Sequence, residues 1–206
     1  MTPPRGLRND KREAILAAAA SEVLERGYQG SSMDRIAERA GVSKRTVYNH
    51  FGSKDDLFRT VVGEHWGQAQ QAISMPYDGN VPLREQLLEL GRREVELLLG
   101  EEFMGLTRAV LSECIRSPQW AGHLFADMKN VESGIQVWLR QAVKEARLNI
   151  PDVEFAAHQF MGLIKGFLFW PRIIGWHPDS TREERDRVVV STVDMFLSYY
   201  EKKTHT

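Results

Sequence analysis

The sequence predicts an all-α protein, and three observations carry that prediction. Apolar residues recur at helical spacing along nearly the whole chain, and no alternating stretch is long enough for a strand. Serine, aspartate and glycine stand where helices would start and stop. A turn-rich stretch, MPYDGNVP at 75–82, separates a small group of short helices from a run of longer ones. The expected architecture is a small N-terminal three-helix unit followed by a larger helical bundle.

The elements follow in order. A first helix is predicted over 10–26, with Ile15, Ala18, Ala19 and Val23 on one face and Gly27 as its stop. Ser31 or Ser32 caps a short second helix whose stripe is Met33, Ile36, Ala37 and Ala40. Gly41-Val42 turns the chain, and Ser43 caps a third helix that Gly52 ends. Ser53, with Asp56 three residues on, opens a long helix to about Ile73. Further helices are expected over 83–99, 102–116, 119–147 (broken once), 152–174 and 181–202. Asp152 and Ser180 cap the last two, and Pro171 should kink its helix because it lacks an N–H and crowds the Phe167 carbonyl.

The stretch GVSKRTVYNHFGSKDDLF, residues 41–58, places two helix starts about ten residues apart. A helix of about two turns is not stable alone, so its length serves something else. Two short helices joined by a glycine-containing turn over a supporting helix form a helix-turn-helix. Val47 and Phe51 would face the core, leaving Lys44, Arg45, Tyr48 and Asn49 outward. Such side chains can donate to phosphates and base edges, and only the first residues need enter the major groove. Lys54 in the first turn of the next helix opposes the macrodipole, which predicts an external anion beside it.

Charge agrees locally rather than overall. The net charge of −1 divides into +2 over residues 1–56 and −3 over the remainder. Basic residues cluster at Arg5, Arg8, Lys11 and Arg12 and again at Lys44, Arg45 and Lys54. No apolar run approaches the roughly 18 residues a membrane span needs. A single cysteine, Cys114, forbids an intrachain disulfide and suits a reducing cytosol, so a cytoplasmic location is expected. The six histidines are scattered, without a Glu-x-x-His pair, and no phosphate loop or G-x-S-x-G occurs. No catalytic constellation, metal or cofactor is therefore expected. A ligand-independent DNA-bending protein would fit the first half but leaves the larger second part unexplained.

SSMDRIAERAGVSKRTVYNHFGSKDDLF, residues 31–58, resembles the DNA-binding signature of the tetracycline-repressor (TetR) family of bacterial regulators. IA, AGVSK, T-x-Y, HF, SK and DLF are all in register. The resemblance implies double-stranded DNA as partner, bound at a palindromic operator by a homodimer. It implies phosphate contacts from Tyr48 and Lys54, with His50 nearby, and base or backbone contacts from Ser32, Lys44, Arg45, Thr46 and Asn49. AAHQFMGLIKGFLFWPRIIG, residues 156–175, resembles one C-terminal subgroup of the family. The implied division is a DNA-binding domain over 1–56 and a ligand-binding and dimerisation domain over 57–206.

Two further expectations concern that second domain. Its last two helices should pair with a second copy as a four-helix bundle, through Phe169, Val188, Val189, Met195, Phe196, Tyr199 and Tyr200. A small apolar or aromatic effector should sit against Trp66, Phe103, Met104, Trp120, Met128, Trp138, Phe160, Met161 and Ile164. Displacing the far end of the long helix would then swing the reading heads off their half-site spacing. The alternative is a solid core without a cavity. Gly162-x-x-x-Gly166 fits either close helix approach or ordinary packing.

Overall fold

A computed structural model describes residues 5–128, 132–177 and 179–202. The side chains of Arg5, Arg8 and Met128 lie outside what is described. The chain is all-α, and the described residues contain no strand beyond an isolated bridge between Leu148 and Glu201. They fall into two compact units, one of residues 1–67 and 101–130, the other of 68–100 and 131–206.

The first unit opens with α1, Arg5–Gly30, broken at Gly27 where φ is +68°, at the predicted stop. α2 is Met33–Arg39 and α3 is Lys44–His50. α4, Lys54–Ile73, runs past the unit boundary at Gly67. α6, Glu101–Arg116, and α7, Pro118–Met128, complete the first unit. One cluster joins Ile15, Ala19, Ile36, Val47, Phe51 and Leu57; a second joins Val23, Tyr28, Phe58, Leu106, Trp120 and Leu124. At Gly105 a Cβ would stand 2.7 Å from Leu24, so α1 and α6 approach closely there.

The second unit contains α5 (Leu83–Leu99), α8 (Gly134–Lys144), α9 (Val153–Ile164), a π-helical turn (Lys165–Phe169), α10 (Trp170–Ile173) and α11 (Arg182–Tyr200). The MPYDGNVP stretch packs within this unit. Buried Gln86 clamps it by donating to the carbonyls of Asp78 (2.7 Å) and Val81 (2.9 Å). Arg147 donates to Gly79 and Val81 carbonyls at 3.0 Å. The break predicted within 119–147 separates α7 from α8.

Pro171 disrupts its helix where the sequence predicted. It has no N–H for the Phe167 carbonyl, and the preceding turn widens so that Trp170 N–H reaches back to Lys165. Thr181, not Ser180, caps α11, because Glu184 completes a capping box with it. Ser180 instead accepts from Arg185 Nε at 2.9 Å. Close packing of α5 occurs at Gly91, where a Cβ would meet Val189 at 2.8 Å. Gly162 and Gly166 are exposed, with nothing within 4 Å of their Cβ positions.

Candidate nucleic-acid interface

Two serine caps build the reading head. Ser32 accepts the Arg35 N–H at 3.3 Å to start α2, and Ser43 accepts the Thr46 N–H at 3.1 Å to start α3. Ser31, the other cap candidate, turns inward and donates to the Tyr28 carbonyl at 2.6 Å. Gly41, with φ +65°, makes the turn between the helices. Val47 is fully buried and Phe51 is 5% exposed, so they anchor α3 to α1, α2 and α4. With that face fixed, Lys44, Arg45, Tyr48 and Asn49 are exposed, and Thr46 and His50 are half-buried.

The cations differ in what already holds them. Arg35 Nε donates to Glu22, a carboxylate only 1% exposed, and Arg35 also donates to the Gly30 carbonyl. Arg39 forks onto Glu25 with two bonds of 2.6 Å. These pairs brace α2 against α1. Lys44 pairs with Asp34 at 2.8 Å, and that bond raises the Lys44 pKa. Arg45 has no ion pair among the described residues.

Lys54 is not held solely for an external anion. Its Nζ donates to the Ser31 carbonyl at 2.9 Å and lies 4.4 Å from the Tyr28 ring centre. Burial lowers its pKa. Neither partner was legible from the helix dipole, because both come from the α1–α2 joint rather than from α4. Glu22 was missed as well. Its nearest sequence signal was Arg26 four residues on, while Arg35 and Arg39 come from α2.

The nine effector candidates divide between the units. In the first, Trp66 lies 6.4 Å from Phe103, and Met104 is buried. Trp120 packs on Phe58 at 5.5 Å, with its indole N–H buried and without a hydrogen-bond partner among the described residues. In the second, Trp138 donates to Gln86 at 3.1 Å, and Phe160 meets Phe196 edge-on at 5.5 Å. Ile164 is buried near Gly91, and Met161 is half-buried. A surface groove of about 880 Å³ runs between α5 and α11, lined by Arg92, Val95, Glu96, Arg182, Glu183, Arg185, Asp186 and Val189. None of the eight candidates with described side chains lines it.

The dimer candidates also divide. Phe169, Val189, Phe196 and Tyr200 are buried within the chain itself. Val188 is half-buried, while Met195 and Tyr199 are exposed at 57% and 79%. Phe155, Phe167 and Trp170 add exposed apolar surface on α9, the π turn and α10. Among the described residues, no helix is long and apolar enough to cross a membrane, and no group of three metal-ligating side chains converges.

Comparison with known proteins bears on this geometry. Residues 15–61 match the family described as bacterial regulatory proteins, tetR family. Residues 85–202 match the C-terminal domain of AefR-like transcriptional repressors. The HTH-type transcriptional activator FasR of Mycolicibacterium smegmatis is 45% identical over 58 residues, which span 28% of this chain and 26% of FasR. A TetR family transcriptional regulator from Pseudomonas syringae pv. tomato is 41% identical, with a TM-score of 0.77 over 93% of this chain and 97% of that one. The flavonoid-responsive regulator FrrA is 26% identical, with a TM-score of 0.76 over 94% of this chain and 98% of that one. Family and relatives are regulators rather than enzymes. The reading head and more than half of the chain match at both ends, and the chain belongs to the TetR family of DNA-binding transcriptional regulators.

Proposed function

We propose that this regulator is a repressor that binds a palindromic operator as a homodimer and is released by a small apolar or aromatic ligand. The observation that carries it is the outward face of α3. Lys44, Arg45, Tyr48 and Asn49 share that face because Val47 and Phe51 are buried behind it. One such helix contacts few base pairs, and two-fold pairing doubles them. Support for pairing comes from the exposed apolar side chains Phe155, Phe167, Trp170, Met195 and Tyr199. Exposed Gly162 and Gly166 would let a partner helix approach.

Support for an aromatic effector comes from FrrA, whose name records a flavonoid response. Buried His65 Nε2 and Trp120 Nε1, both without a hydrogen-bond partner among the described residues, add polar atoms among the aromatic side chains of the first unit. A dimer bound over a promoter blocks polymerase, which favours repression. Activation is the second reading, favoured by the likeness of the reading head to the activator FasR.

The test is a gel-shift titration on DNA flanking the protein's own coding region, with a flavonoid panel added to the preformed complex. Release by one compound at a concentration that also raises the melting temperature supports the switch. A compound that binds without changing operator affinity contradicts it, because equal affinity for both states shifts nothing.

A further inference from the structure

Glu113 lies near the end of α6, about sixty residues beyond the reading head, yet it is 3% exposed. Its Oε2 accepts the Gln29 side-chain N–H at 2.8 Å, and both its oxygens accept from Arg116. Gln29 belongs to the joint of residues 27–31, which leaves α1 through the left-handed Gly27. The same joint receives Lys54, whose ammonium sits on the Ser31 carbonyl and over the Tyr28 ring. Tyr28 in turn donates to Asp55 and packs 6.0 Å from Trp120 of α7.

The charges around this joint are unequal. Arg35 and Arg116 both repel the Lys54 ammonium, and Glu113 attracts it. Burial alone would raise the Glu113 carboxyl, but the bonds from Arg116 and Gln29, with the nearby cations, hold it below the usual carboxylate range. A buried charge is screened far less than an exposed one, so its pull on Lys54 persists in salt. An ammonium has three N–H donors; one fixed on Ser31 sets its position and leaves two for a phosphate.

We infer that Glu113 is a positioning residue for the phosphate contact of Lys54, acting from a helix outside the reading head. The inference rests on the DNA-binding reading above. Without the carboxylate, Arg35 and Arg116 push Lys54 off the Ser31 carbonyl. Gln29 also loses its grip on α6, and the joint that leads into Ser32 is freed.

The test is a double-mutant cycle of Glu113→Gln and Lys54→Ala, read as affinity for one operator duplex across a salt series. Both single variants are expected to bind roughly tenfold more weakly at low salt, with the salt slope reduced by about 0.9 per half-site, the value of one lost phosphate contact. The double variant should bind no more weakly than Lys54→Ala. A Glu113→Gln slope equal to or steeper than wild type would overturn the inference, as would losses that multiply. Should Glu113→Gln fail to fold, Glu113→Asp keeps a charge for folding but draws the carboxylate back by one methylene from Gln29 and Lys54; wild-type affinity and slope in that variant overturn the inference, and a weakened, shallower response supports it. Wild-type protein that shows no salt-dependent binding to any duplex would contradict the DNA-binding reading itself.

Discussion

Arg45 and Lys54 are both basic and both belong to the reading head, but their surroundings assign them different work. Arg45 is exposed with no ion pair among the described residues, so it is available for a bidentate base contact. Arg45→Ala is expected to cost about 1–3 kcal/mol on the cognate site and little on random duplex, measured by competition anisotropy. Lys54 is set by Ser31 and Tyr28, and Lys54→Ala should weaken both duplexes equally. Glu94 on α5 is a residue of another kind. It is 5% exposed, and burial, only partly offset by Lys165, pushes its pKa from 4.5 up to about 7. The folded chain therefore keeps a proton that the unfolded chain has released between these values. Stability from this group is complete below about 4.5 and is lost as pH rises through about 7, on the order of 3 kcal/mol. Glu94→Gln should flatten the denaturation midpoint between pH 5 and 8, as urea titrations at about four pH values would show. Legibility at this scale follows sequence distance. Ser43 and Val47 act within one turn of themselves, so spacing revealed them. Glu22, Gln29 and Glu113 act through partners on other helices, and no spacing rule reaches those.

Helix ends behave similarly. Ser43, Ser53 and Asp152 cap the elements they were expected to, because a cap is a local bond between a side chain and a backbone N–H two or three residues on, and Gly27 breaks α1 through its positive φ. Ser43→Ala should therefore cost about 1 kcal/mol of stability, seen as a fall in melting temperature, and should weaken DNA binding by loosening the first turn of α3. Ser180 lost its expected role to Thr181, whose side chain and backbone N–H exchange bonds with Glu184, although Glu183 stands three residues after Ser180. The turn-rich 75–82 stretch was legible as a bend but not in the contacts that hold it. Its composition says that the backbone bends, but Gln86 and Arg147 decide that the bend is clamped inside the second unit. Pro171 was legible as a disruption, whereas the widened turn that absorbs it depends on how Lys165–Phe169 packs.

For the whole molecule, the all-α class and the family were legible because helical periodicity and the 31–58 signature are properties of the chain itself. The division of apolar residues between core and outer surface was not. Val189, Phe196 and Tyr200 share α11 with Met195 and Tyr199, and only the packing of α5 and α9 tells inward from outward. The outward set leads to a distinct prediction. Met195→Glu with Tyr199→Glu should leave the fold intact, since both side chains are exposed, yet give a monomer in analytical ultracentrifugation at micromolar concentration. A dimeric mass for that variant would place the pairing surface elsewhere. The central claim is that α3, presented twice by a dimer, reads DNA sequence. Its most direct measurement is the affinity ratio between a palindrome from the flanking DNA, located by footprinting, and a scrambled duplex at about 150 mM salt. A ratio of roughly a thousand or more with two chains per palindrome is expected, falling about 5- to 150-fold in Arg45→Ala. Equal affinity for both duplexes, or one chain per site, would contradict it.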